Sequence, residues 1–231
     1  MFTLDQVVPW GRSFDEYRRM FALTDEDLQS KIVGCADGPA SFNAEATRLG
    51  STVVSCDPIY RYDVEQLRER IASTCDQVLE QTRQNASEFV WSTIRSVDEL
   101  GDVRMAAMNA FLRDYPAGSI EGRYIDAELP HLPFGALSFD LALCSHFLFL
   151  YTMQLGEVFH RLAIREMCRV AHEVRIFPLL ALDGTRPPFV ERMVDEFVGE
   201  GFDVSIDEVP YEFQRGGNKM MRIRKRECHA Q

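Results

Sequence analysis

The stretch from Lys31 to Tyr60, "KIVGCADGPASFNAEATRLGSTVVSCDPIY", constrains the fold more than any other part of the chain. "KIVGC" is a short apolar run, "PASFNAEATRLG" has helix-forming composition with Gly50 as its stop, and "STVVSCD" is rich in β-branched residues. The order predicts strand, helix, strand. Two strands joined through a helix run parallel, and parallel strands are buried on both faces, which commits the chain to an α/β domain.

The rest of the chain extends that pattern. Ser13-x-x-Glu16 is a capping box that predicts a helix start near Phe14, and Thr24-x-x-Asp27 predicts a second short helix before the first strand. From Arg61 to Arg113 Gly and Pro are scarce, and Val64, Leu67, Ile71 and Val78 have amphipathic helical spacing, so two or three helices are expected there. "DYPAGSIEG" is expected to break that run. A short strand at "RYIDA", a Pro-rich loop and an apolar strand "FDLALC" follow, then a helix from about Leu155 to Ala171 and the strand "EVRIF". "PPFVERMVDEFVGEG" opens on Pro and closes on Gly as a helix does. "FDVSIDEVP" and "NKMMRIRKR", linked by the Gly-containing "YEFQRGG", predict a final antiparallel hairpin. The expected architecture is a doubly wound, mostly parallel seven-stranded Rossmann-like sheet with an antiparallel C-terminal hairpin. With 231 residues it is expected to be one domain over 1–231, with an N-terminal helical cap over 1–30 and a helical insertion over 61–115.

Charge and cysteine usage narrow the function classes. Twenty-five Lys and Arg stand against 36 Asp and Glu, and the net charge of −11 disfavours nucleic-acid backbone and anionic membrane surfaces as partners. A small-molecule substrate is expected. The basic "RIRKR" at Arg222 to Arg226 ends an alternating segment and reads as a solvated strand end. Six cysteines are spread without C-x-x-C pairs or zinc-type spacing, so no metal site is expected. Cys35, Cys56 and Cys144 fall in apolar strands, as reduced core thiols of a cytoplasmic protein do. Asn85-Ala86-Ser87 matches a glycosylation acceptor but follows no secretory signal pattern and is expected to be a chance match, and no apolar run reaches membrane-spanning length.

"ADGPAS" occupies the first strand-to-helix turn, where free backbone N–H groups and the positive end of a helix dipole meet a ligand. Gly38 admits a left-handed backbone, and Ala36 and Ala40 are small enough for close approach. Asp57 ends the second strand, where a carboxylate can accept from both hydroxyls of an adenosine ribose. Its alternative role, a helix cap, fits less well with Pro58 directly after it. Ile59 and Tyr60 can offer an apolar face to adenine or pack ordinarily.

Later segments add to this. "YIDAELPHLPFGALSFDLALCSH" resembles the class I S-adenosylmethionine-dependent methyltransferases, most of all the small-molecule type, and the resemblance spans roughly Lys31 to Arg226. In that family an acid-Ala pair ends the third strand and contacts the adenine amino group, a Leu-Pro-Phe loop follows, and a Phe-Asp-led fourth strand delivers polar residues to the methyl donor. Asp126-Ala127, Leu132-Pro133-Phe134, Phe139-Asp140 and Ser145-His146 match these in order. A nicotinamide dehydrogenase would explain the turn and Asp57 but not these segments together. The resemblance implies S-adenosylmethionine as cofactor, held by Ala36, Asp37, Gly38, Asp57, Pro58, Ile59, Asp126, Ala127 and Ser145. Two departures stand out: Gly34 occupies the family's usual acidic position in the first strand, and the three-glycine pattern is reduced to Ala36-x-Gly38-x-Ala40. Asp37 or backbone carbonyls would then hold the methionyl ammonium. A cofactor-binding protein without catalysis is the alternative use of the same features.

His146, just past the fourth strand, is the candidate general base, although in-line methyl transfer can rest on positioning alone. In "PWGRS", Arg12 is placed to bind the methionyl carboxylate or an anionic substrate, with Trp10 packed above it.

Overall fold

The computed structural model describes residues 7–226. Cys228 and the first six residues of the expected N-terminal cap lie outside them. The elements are α1 (Phe14–Met20), β1 (Lys31–Cys35), α2 (Phe42–Arg48), β2 (Thr52–Cys56), α3 (Val64–Gln84), α4 (Val97–Ile120), β3 (Tyr124–Ile125), β4 (Phe139–Ser145), α5 (Thr152–Val170), β5 (Ala171–Phe177), α6 (Val190–Gly199), β6 (Phe202–Glu208) and β7 (Lys219–Lys225). The seven strands form one sheet in the order β3-β2-β1-β4-β5-β7-β6. β1 pairs parallel with β2 and β4, while β7 lies between β5 and β6 and runs antiparallel to both. The expected doubly wound sheet with its terminal hairpin is present.

Side-chain alternation along β1 sorts the core onto two faces. Val33 and Cys35 join Ala142, Cys144, Met167 and Phe197 on the side covered by α5 and α6. Ile32 joins Val53, Leu141, Tyr17 and Phe42 on the side covered by α1 and α2. A third cluster, Tyr60, Leu67, Ile71, Phe111, Tyr115 and Tyr124, seats α3 and α4 beside the β3 edge.

Ser13 and Glu16 form the predicted capping box of α1. Thr24 and Asp27 bond reciprocally as their spacing predicts, but start only a 3₁₀ turn, Asp27–Gln29. The reason is tertiary: Asp27 also takes the buried guanidinium of Arg175 on β5, at 2.9 and 3.0 Å, while Arg175 donates to the Phe21 carbonyl. This fork ties the N-terminal segment to the sheet.

The expected break at "DYPAGSIEG" does not occur. α4 runs through Pro116 to Ile120. Its flanks are held from outside, by Tyr115 Oη donating to the carbonyls of Tyr60 and Tyr62 and by Asp114 accepting from Arg123 and Tyr124. These contacts outweigh the backbone bond that Pro116 cannot make. Among the described residues no helix is long and apolar enough to cross a membrane, and no cluster of three or more His, Cys, Asp or Glu is placed to hold a metal.

Candidate functional site

At the carboxyl ends of β1, β2 and β4 the chain encloses a cavity of about 620 Å³. It lies where an open parallel sheet reverses its strand order, the usual ligand crevice of such folds. Ala36, Asp37, Gly38, Asp57, Pro58, Ile59, Ser145, His146 and Arg12 all reach its wall.

The turn after β1 is built around two carboxylates. Ala36 and Gly38 both have positive φ, 54° and 55°, which bends the chain back over the strand end. Asp37 is thereby folded over Gly34, and a Cβ built on Gly34 would stand 2.2 to 2.7 Å from the Asp37 carboxylate atoms. Its Oδ1 accepts from Tyr17 Oη at 2.5 Å and its Oδ2 from Ser55 Oγ at 2.6 Å. Burial raises the Asp37 pKa, and the Ser55 and Tyr17 bonds only partly oppose it. No cation pairs with this carboxylate among the described residues.

Asp57 accepts from Gly38 N–H on one oxygen and Ile59 N–H on the other, both at 2.9 Å. It therefore does cap the 3₁₀ turn Pro58–Arg61, against the expectation drawn from Pro58. Proline at the first helical position lacks the N–H that is unpaired there anyway, and the next residue supplies the donor. Burial raises the Asp57 pKa to about 6 despite these bonds, with Asp37 and Glu128 adding to the rise. Each oxygen keeps a lone pair for a further donor. Ile59 faces the cavity, whereas Tyr60 turns into the aromatic cluster and donates to the Gly38 carbonyl at 2.7 Å.

Asp126 and Ala127 are not brought to the wall. β3 ends at Ile125, exposed Asp126 pairs with Arg61 at 3.4 Å, and Glu128, Leu129 and Pro130 line the cavity instead.

The opposite wall is basic. "PWGRS" lies against the β1 turn so closely that a Cβ on Gly11 would stand 2.1 Å from the Pro39 carbonyl oxygen. The Arg12 carbonyl accepts from Ser41 N–H at 3.0 Å. Arg12 donates to the Trp10 carbonyl, its Nε has no partner, and burial followed by repulsion from Arg104 lowers its pKa to about 10. Arg104, from α4, is wholly buried and donates Nη1 to Glu16 at 2.6 Å. Tyr211 Oη and Ser13 N–H also bond to Glu16. Burial pushes the Glu16 carboxyl up, but Arg104 outweighs it, and with Arg12 and Ser13 leaves the pKa at about 2. His146, at φ 52°, places Nδ1 2.9 Å from Ser145 Oγ and its ring edge-on to Phe177. Burial, then Arg12 and Arg104, hold its pKa well below the usual imidazole range, so the ring is neutral at pH 7.

Sequence reasoning missed Tyr17, Ser55 and Arg104 as site residues and read Glu16 only as a cap. Arg104 had a signal: it falls on the stripe Leu100, Arg104, Met108, Phe111, where a buried helix face should be apolar.

Sheet order and the antiparallel β7 define the class I methyltransferase type of fold. No protein-family model matches the chain. The uncharacterized protein MJ0045 of Methanocaldococcus jannaschii is 34% identical over 223 residues, 96% of this chain and 98% of that protein. The chain belongs to the same family as that archaeal protein. Among solved structures, magnesium protoporphyrin IX methyltransferase of Synechocystis with bound S-adenosylmethionine aligns over 92% of this chain and 91% of its own, with 10% identity and a TM-score of 0.45. A methyltransferase of Aquifex aeolicus aligns over 91% and 87%, with 13% identity and a TM-score of 0.44. Likenesses this distant carry nothing about substrate.

Proposed function

We propose that the chain is an S-adenosylmethionine-dependent methyltransferase acting on a small-molecule nucleophile. One observation carries the reading: Asp37 sets its carboxylate in the space a side chain at Gly34 would fill, restoring by a fold-back the acid that the family places on β1. The residues present suit the cofactor. Asp57 has a free lone pair on each oxygen for a ribose hydroxyl, buried Asp37 calls for a cation such as the methionyl ammonium, and Arg12 has an unpartnered donor for the methionyl carboxylate. When bound, the cofactor supplies a methyl group on a positively charged sulfur.

The chain's own contribution is position and dryness. The N-terminal segment lies over the β1 turn and excludes water from the crevice, which strengthens each electrostatic contact inside. His146 is neutral, and in the tautomer whose Nδ1–H donates to Ser145 Oγ its Nε2 is open to take the proton that the nucleophile loses, with burial and the two arginines making it a weak base. The net charge of −11 supports a small acceptor over a polyanion.

Calorimetry with S-adenosylhomocysteine tests the reading. One-to-one binding, lost in Asp37→Ala and weakened in Arg12→Ala, is expected. No heat and no thermal stabilisation at about 1 mM would overturn it. Release of S-adenosylhomocysteine during turnover of an acceptor separates an enzyme from a binding protein.

A further inference from the structure

Trp10, Phe147, Leu182 and Phe213 pack around Phe89, with Phe159 against Phe147, and together they give the cavity an aromatic chamber wall. Apart from Phe147, two residues past β4, these residues lie away from the strand ends that suit a nucleoside and an amino acid. Such a wall takes a flat or bulky apolar body. One fully buried charge in the cavity wall, Arg104, touches neither cofactor nor acceptor in that function and acts only through Glu16, Arg12 and His146. Arg104 gives Nη1 to Glu16 and has the Tyr211 hydroxyl close against its guanidinium, while Nε and Nη2 make no hydrogen bond of normal geometry.

Those two nitrogens form one edge of the guanidinium. Their N–H bonds run side by side at the spacing of a carboxylate's two oxygens, which makes a two-pronged contact. Leaving both donors unmade inside the protein is costly, and α4 puts them there from a stripe that would otherwise be apolar. Both are enclosed behind the wall, so a guest reaches them after a side-chain adjustment of the kind common on binding.

We infer that the methyl acceptor is an apolar, ring-sized acid whose carboxylate docks on the free edge of Arg104 while its body fills the aromatic chamber. This rests on the methyltransferase reading. A carboxylate in a two-pronged ion pair with a guanidinium has its charge neutralised and is a weakened nucleophile, so a different group on the same molecule is the nucleophile. In the transfer that group's lone pair forms the new bond to the methyl carbon, the carbon–sulfur bond breaks with its electron pair left on sulfur, and the nucleophile's proton leaves to His146 or water.

The test uses a matched pair, 2-naphthoate and 2-naphthamide, titrated by calorimetry into the protein with and without S-adenosylhomocysteine. The acid is expected to bind about 10-fold or more tighter than the amide, the scale of a charge-assisted bond. In Arg104→Lys, which keeps a charge for Glu16 but loses the fork, the preference should shrink to about twofold while S-adenosylhomocysteine affinity stays. Equal binding of acid and amide by the wild type overturns the inference. So does a preference that survives in Arg104→Lys, or a loss there of cofactor affinity instead. If Arg104→Lys does not fold, the wild-type Arg104 Nε resonance in ¹⁵N NMR decides: it should shift with naphthoate and not with naphthamide, and an unmoved signal overturns the docking. Should S-adenosylhomocysteine not bind at all, the cofactor reading fails, and the cofactor-free titrations still judge Arg104.

Discussion

Asp37 and Gly34 share one side-chain space: a Cβ on Gly34 would lie 2.2 Å from Oδ2 of Asp37. Gly34→Ala must therefore displace the carboxylate from Tyr17 and Ser55, at about 1–3 kcal/mol of stability. Combined with Asp37→Gly, the cost should fall short of the sum of the single changes by about 1 kcal/mol or more. Gly34→Asp with Asp37→Gly, which returns the acid to the strand, should regain part of the S-adenosylhomocysteine affinity lost in Asp37→Gly. Denaturant titration and calorimetry measure both, and strict additivity would refute the shared space.

Asp57 carries both a turn and a proposed ribose contact. Asp57→Ala should weaken S-adenosylhomocysteine binding by about 2–3 kcal/mol and also cost about 1 kcal/mol of stability through the lost cap on Ile59. Its raised folded-state pKa of about 6 stabilises the fold below the unfolded value near 3.8, and that contribution is lost as pH rises through about 6. Acidifying from pH 7 to 5 should thus favour the wild-type fold relative to Asp57→Ala while lowering cofactor affinity. Affinity flat across that range would remove the ionised carboxylate from the contact.

Glu16 joins α1, α4 and the segment after β6 through Arg104 and Tyr211. Glu16→Gln leaves Arg104 without its counter-charge and should cost about 3 kcal/mol. The depressed wild-type pKa of about 2 gives stability that is present above about 4.5 and lost as pH falls toward 2. The gap in melting temperature between wild type and variant should close over that window. A constant gap would show that the pair's charge is not what holds the segment.

His146→Asn should keep cofactor affinity and lower turnover by about 10²-fold if the imidazole takes the proton. Burial and the two arginines move its titration below neutrality, so the pH dependence it confers belongs there rather than near pH 7. Its depressed pKa also means that wild type loses stability relative to the variant as pH falls below about 6.5. Unchanged turnover across the pH range in the variant would leave positioning as the source of the rate.

The layered α/β plan was legible before any folding, because strand and helix signals between Lys31 and Lys225 are local: β-branched runs, capping residues and Gly stops act over a few positions. The sequence also marked the β1 turn and Asp57, since strand ends are where such sheets bind. What lies far apart in the chain was decided only by the tertiary structure. Pro116 stays helical because Tyr115 and Asp114 are held from outside the helix, a contact no local propensity contains. Asp37 could be named as a substitute for the missing acid, yet its place over Gly34 depends on Tyr17, twenty residues earlier, and on Ser55 of the neighbouring strand. The Glu16–Arg104 pair spans 88 positions. Burial, which shifts the pKa of Asp57, His146 and Arg12 alike, is a property of everything packed around a residue, and so it appears only once the chain has closed on itself.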